Sequence, residues 1–181
     1  MLLLAMQINS PAWMGPGQFP PPAFLNDHQP PPFANDFEGR FAGTRSAPKS
    51  PDAPKVLLVD DSEQTLARAT TVLSAGRGCI VVGTATNGCE ALEAAAALNP
   101  DVVVLDISMP DMNGFELAGR LRGSGCTAPL VFLTVHEEEE LVVAARKAGA
   151  LGYVVKTRIA SDLELAVREA RDGKPFQSPS R

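Results

Sequence analysis

Apolar and polar positions fall into a regular order only from residue 55 onward. Five short apolar runs, "KVLLVD", "CIVVGTAT", "DVVVLD", "APLVFLT" and "LGYVVK", are each followed by a stretch whose apolar residues recur three or four positions apart. Short continuous runs rich in Val, Leu and Ile read as strands buried on both faces, and the spaced stretches read as helices laid against them. The first helix is predicted over Ser62 to Ala75, with Leu66, Ala69, Val72 and Leu73 on its inner side. Asn87, with Glu90 three residues later, opens an alanine-rich helix that Asn99-Pro100 stops. A third helix is predicted from Asn113 to Arg122. A fourth runs from Glu137 to Ala148 and ends at Gly149, and a fifth is opened by Ser161 with Glu164 and continues through Ala170.

Five strand-helix units in this order predict an α/β domain over residues 55–172, with a short tail at 173–181. Continuous apolar strands suit a parallel sheet covered on both faces, and right-handed crossovers then favour a doubly wound arrangement. Five strands fit the flavodoxin-like (βα)5 order 2-1-3-4-5, in which ligands sit beyond the carboxyl ends of the strands.

Those ends carry a particular set of residues. Strand one runs out at Asp60 and Asp61, strand three at Asp106, strand four at Thr134 and strand five at Lys156. In the inferred order these tips converge on one crevice. Any one of the aspartates alone reads as a turn residue or helix cap, Thr134 alone as an N-cap, and Lys156 alone as a solvated lysine. Together they make a chemistry. Three crowded carboxylates repel, and a hard divalent cation such as Mg2+ relieves the conflict while keeping room for water and a phosphate oxygen. An aspartate can take a phosphoryl group in line, provided the charge on its equatorial oxygens is offset. Asp106, the lone carboxylate on the central strand, is the candidate nucleophile. Asp60 and Asp61 are candidate metal ligands, and Thr134 and Lys156 are candidate stabilisers.

Composition narrows the surroundings. Eleven of the 16 prolines lie in residues 1–54, among unpatterned aromatics, so this segment is expected to be a disordered or polyproline-like extension. A formal net charge of −5 argues against a broad nucleic-acid footprint. Cys79, Cys89 and Cys126 form no CxxC pair and suit a reducing, cytoplasmic setting. "MLLLAM" lacks a basic start and reaches Gln7 too early for a signal peptide, and no apolar run approaches membrane-spanning length. The run Glu137 to Glu140 reads as a solvated helix start favoured by the helix dipole rather than as a metal site. There is no GxGxxG after strand one, which disfavours a dinucleotide enzyme. Ser108 stands where a haloacid-type phosphohydrolase needs a second aspartate.

From Lys55 to about Arg171 the sequence resembles the receiver domain of two-component response regulators. It carries "LLVDD", "DISMPDMNG", "LT" and "GYVVK" in order. The resemblance implies that Asp106 accepts phosphate from a histidine kinase or phosphotransfer protein. It also implies that Asp60, Asp61, Asp106 and the backbone carbonyl of Ser108 hold Mg2+. Thr134 and Lys156 then bind the phosphoryl oxygens, and Thr134 and Tyr153 form the switch, with Tyr153 rotating inward on phosphorylation. Ser108 and His136 would flank the hydrolytic water, although His136 also reads as a solvated residue at a helix start. Val135 is bulkier than the small residue common beside the threonine and would narrow access to the pocket. Thr157 after the lysine, and the tail "AVREARDGKPFQSP", resemble the subgroup with LuxR-type output. No residues remain for a helix-turn-helix, so the expectation is a stand-alone receiver rather than an enzyme. It would act through a downstream protein, with a phosphorylation-dependent homodimer as one form and no DNA or membrane binding by this chain. The alternative is the receiver portion of a truncated LuxR-type regulator.

Overall fold

The computed structural model of the chain describes residues 52–76 and 78–179. The extension predicted over 1–54 therefore lies almost wholly outside the described residues. The elements alternate as the apolar pattern requires: β1 (Lys55–Val59), α1 (Glu63–Ala75), β2 (Ile80–Ala85), α2 (Gly88–Leu98), β3 (Val102–Leu105), α3 (Gly114–Gly123), β4 (Leu130–Thr134), α4 (Glu139–Lys147), β5 (Ala150–Val155), a 3-10 turn at Lys156–Arg158, α5 (Ile159–Arg171) and β6 (Phe176–Gln177). The strands form one parallel sheet in the order β2-β1-β3-β4-β5-β6.

Alternation along the strands sends side chains to two cores. Leu57, Val59, Val103, Leu105, Leu130 and Phe132 face one side, where Ala91 and Ala94 of α2, Leu117 and Leu121 of α3, and Val142 of α4 cover them. Val56, Leu58, Val102, Val104, Val131 and Leu133 face the other, under Leu66 and Leu73 of α1 and Ile159, Leu163 and Val167 of α5. Each fully buried Val, Leu or Phe contributes roughly 1.5–3 kcal/mol relative to exposure, so both layers fix the positions of the central strand ends. The caps fall where the sequence places them. Ser62, Asn87 and Asn113 accept the N–H of Thr65, Glu90 and Glu116 at the starts of α1, α2 and α3. Asn99 closes α2 in the left-handed conformation at φ 44°.

Two elements differ from expectation. The sheet has six strands, because the tail returns to the open edge of β5. Gly173, at φ 73°, turns the chain, Lys174 N–H donates to the Glu169 carbonyl (2.8 Å), and Phe176 and Gln177 pair with Gly152 and Tyr153. Edge strands leave a row of unpaired backbone groups, and even two residues suffice to occupy part of that row. The last helix opens at Ile159 rather than at Ser161. The turn at Lys156–Arg158 runs straight into it, and the Ser161 hydroxyl donates to the Arg158 carbonyl (3.2 Å) and to Asp162 (2.6 Å) instead of capping. No helix among the described residues is long and apolar enough to cross a membrane.

Candidate functional site

Among the described residues, five polar or charged side chains are buried: Asp60, Asp106, Thr134, Asp162 and Ser178. The first three stand at the carboxyl ends of β1, β3 and β4. Asp60 and Asp106 are each held by a last ladder bond, from Asp60 N–H to the Ala85 carbonyl (3.1 Å) and from Asp106 N–H to the Val59 carbonyl (2.9 Å). Burial costs a carboxylate dearly unless something compensates, and here Lys156 does part of that. Its Nζ lies 2.7 Å from Asp60 Oδ2 and 3.0 Å from Asp106 Oδ2. Asp60 Oδ1 also accepts the Ser62 N–H at 3.0 Å. Burial still raises the Asp60 carboxyl above its ordinary range, against the pull of Lys156 and the Ser62 amide. For Lys156, burial favours the neutral amine, but the hydrogen bonds and charges of the two aspartates outweigh it and raise its pKa.

The balance remains incomplete on the carboxylate side. Asp106 Oδ1 has no hydrogen-bond partner, and Asp60 Oδ2 has no aligned donor beyond its ion pair. Asp60, Asp61 and Asp106 bring one oxygen each to within 4.8 Å of one another, with Asp61 exposed at the lip. Buried oxygens without donors, in an all-oxygen set with an open side, fit a hard divalent cation.

The loop after β3 is shaped to hold Asp106 in place. Met109 and Met112 are buried in the core, and Gly114 N–H donates to the Ile107 carbonyl at 2.9 Å. A Cβ at Gly114 would lie 2.2 Å from the Asp106 carbonyl oxygen, so α3 approaches the strand end closely only because residue 114 is glycine.

On the other flank, the peptide of His136 joins the two predicted switch residues. Its N–H donates to Thr134 Oγ1 (3.2 Å), and its carbonyl accepts the Tyr153 hydroxyl (3.1 Å). Tyr153 is only 4% exposed and already inward, packed in the core beside Phe132, rather than waiting outside for phosphorylation. Burial pushes its hydroxyl up to about 12, so it remains a donor at neutral pH. The His136 ring is not merely solvated. Nε2 lies 3.0 Å from Ser108 Oγ, and Nδ1 lies 3.5 Å from Glu138. Val135 is 63% exposed beside the pocket. The glutamates 137–140 are exposed, Glu139 and Glu140 lying in the first turn of α4. The three cysteines are free.

The structure thus brings Asp60, Asp61, Asp106 and Lys156 together as the sequence predicts. It also adds a pair the sequence reading missed, Asp162 and Ser178, whose carboxylate and hydroxyl lie 2.7 Å apart.

Comparison with known proteins gives the family of the chain. The response regulator receiver domain family matches residues 56–168. The nitrate/nitrite response regulator protein NarL of Escherichia coli strain K12 is 37% identical over 119 residues, covering 66% of this chain and 55% of that protein. Response regulator GacA of Pseudomonas aeruginosa is 35% identical over 125 residues, 69% of this chain and 58% of GacA. Among solved structures, a two-component response regulator of the LuxR family from Aurantimonas sp. SI85-9A1 superposes with a TM-score of 0.67 at 28% identity, over 70% of this chain and 91% of that one. The chain belongs to the response regulator receiver domain family. Receiver domains of this family are the phosphoacceptors of response regulators in two-component signalling. The chain spans about half the length of the curated relatives it matches.

Proposed function

We propose that Asp106 is the phosphoacceptor. Its carboxylate attacks the phosphorus of a phosphohistidine on a sensor kinase or phosphotransfer protein, in the cytoplasm. A bond from a carboxylate oxygen to phosphorus forms as the nitrogen–phosphorus bond breaks, and the histidine leaves with the electron pair. The observation that carries this reading is the buried Asp106 with Oδ1 free of donors while Oδ2 is held by Lys156. Structural pairing alone leaves that oxygen without a purpose.

Asp60, Asp61, the Asp106 carboxylate and the Ser108 carbonyl are the residues to hold Mg2+, which supplies positive charge for the phosphoryl oxygens. The chain's own groups do the rest. Lys156 places an ammonium beside the acceptor. The Thr134 hydroxyl accepts from the His136 N–H, so its own proton is available to a phosphoryl oxygen. A shift of Thr134 toward that oxygen pulls on the His136 peptide, which is bonded to Tyr153. Occupancy of the pocket therefore biases the loop between β4 and α4 and the buried position of Tyr153, a population shift that protein partners or a second copy can read.

Intact mass after incubation with Mg2+ and a small phosphodonor, or an active histidine kinase, tests this directly. One phosphoryl increment is expected, lost in Asp106→Asn. No increment with either donor would leave a phosphate-independent binding module. A second reading, the receiver part of a LuxR-type DNA-binding regulator, is supported by relatives matched over about half their length. An in-frame basic helix-turn-helix beyond codon 181 decides for it.

A further inference from the structure

Of the five buried polar side chains among the described residues, three belong to the phosphoacceptor pocket. The other two, Asp162 on α5 and Ser178 just past β6, are bonded to each other. They are not an isolated structural pair. Ser178 Oγ also accepts the N–H of Val155 (3.3 Å), the residue before Lys156, and Ser178 N–H donates to the Tyr153 carbonyl (2.8 Å). Asp162 in turn is gripped by Arg158, two residues after Lys156, through Nε at 2.7 Å, and by the Ser161 hydroxyl at 2.6 Å. The backbone on both sides of Lys156 is therefore tied to one buried node, while its ammonium spans Asp60 and Asp106.

We infer that Ser178, seated on Asp162, is a positioning residue for Lys156, so that the C-terminal strand completes the phosphoacceptor site. This rests on the reading of Asp106 as phosphoacceptor. The physical basis is the shortage of alternatives at this corner. A long lysine side chain loses its bridging geometry when its backbone is free to shift, and the 3-10 turn that begins at Lys156 has no side-chain cap of its own. Val155 is buried, so its N–H needs a partner inside the protein, and Ser178 supplies the acceptor. Coupling is reciprocal. If Ser178 places Lys156, then a phosphoryl group that recruits Lys156 also pulls on residues 176–178, and the tail becomes a second place, besides Tyr153, where phosphorylation is felt.

A double-mutant cycle on the full chain tests the connection. Ser178→Ala, Ser178→Thr, Lys156→Ala and the double variant Ser178→Ala with Lys156→Ala are compared in two measurements. These are the rate of phosphoryl incorporation at saturating small phosphodonor, and the Mg2+ affinity of unphosphorylated protein by titration calorimetry. Ser178→Ala is expected to slow maximal incorporation about tenfold, within the range of coupling through one hydrogen-bond network, with the half-saturating donor concentration unchanged. It is also expected to tighten Mg2+ severalfold, because a loosened ammonium competes less for Asp60 and Asp106. Ser178→Thr restores both. In the Lys156→Ala background, Ser178→Ala changes neither. Equal effects of Ser178→Ala in both backgrounds, or no effect in either, overturn the inference and leave Ser178 a packing residue. Wild-type protein that never gains a phosphoryl group overturns the phosphoacceptor reading instead. The calorimetric cycle then still decides whether Ser178 acts through Lys156.

Discussion

Gly114 and Lys156 guard Asp106 in opposite ways, one by leaving space and one by filling it with charge. A methyl group at position 114 must push on the Asp106 carbonyl, because 2.2 Å is far inside van der Waals contact. Gly114→Ala is expected to cost about 1–3 kcal/mol, as overpacking does, and to slow phosphoryl incorporation by displacing the acceptor. Urea unfolding and timed intact-mass spectra check the two effects separately, and an alanine variant of unchanged stability would mean that α3 yields freely. Lys156→Ala removes the ammonium that pairs with the two buried carboxylates Asp60 and Asp106. Breaking such a pair destabilises by on the order of 3 kcal/mol when one charge is left buried. The variant's unfolding midpoint is expected to rise with Mg2+ much more steeply than that of the wild type, since the metal then supplies the missing charge. At this scale the pocket was legible in the sequence. Asp60, Asp106, Thr134 and Lys156 each end an apolar run, and each strand's direction then aims its tip at the same crevice. Asp162 was not. Ser161 followed by Glu164 imitates a capping box, which drew the reading to the wrong acid while Asp162 between them takes the buried bonds.

Helices α1, α2 and α3 show why the element pattern was readable. Each begins at a Ser or Asn whose side chain satisfies a first-turn N–H, and each presents small or branched apolar residues to one face of the sheet. At α2 the cap is doubled, with Asn87 accepting from Glu90 N–H at 3.0 Å and Glu90 Oε2 accepting the N–H and hydroxyl of Thr86. Asn87→Ala is expected to lose about 0.5–2 kcal/mol, the usual worth of an N-cap. Phe132→Ala, in the core of β4 and tilted against Phe115 with ring centroids 4.9 Å apart, is expected to lose about 3–5 kcal/mol. Chemical denaturation of both variants would rank them, and an Asn87→Ala loss as large as that of Phe132→Ala would mean the cap does more than close α2. The sixth strand escaped the sequence because nothing local specifies it. Phe176 and Gln177 are too few to show a periodicity, and the prolines at 175 and 179 make the segment read as tail. What makes "FQ" a strand is the open edge of β5 and the buried seat of Ser178, both of which exist only once the sheet has formed.

At the scale of the whole fold, the two buried polar centres among the described residues respond to acid in opposite directions. At the pocket, burial raises the Asp60 carboxyl, so its ionised form opposes folding and protonation relieves that cost. At the tail, burial alone would raise Asp162 as well, but hydrogen bonds from Arg158, Ser161 and Ser178 outweigh it and hold the carboxyl at about 2, below the ordinary 3.8. A depressed carboxylate stabilises the fold wherever it is ionised in both states. Its contribution is therefore complete above the unfolded pKa and disappears as pH falls from there through about 2. Asp162→Asn keeps the shape and some of the hydrogen bonds but loses the charge that Arg158 meets. The stability gap between wild type and this variant is expected to be constant above about pH 5 and to shrink steadily toward about pH 2, where the wild-type acid is itself becoming neutral. Urea midpoints of the two proteins, taken in parallel at each pH, cancel the titration of every other carboxylate. A gap that stays the same width down to the lowest pH at which both proteins fold would show that the ionised Asp162 does not hold α5 and the sixth strand to the end of β5.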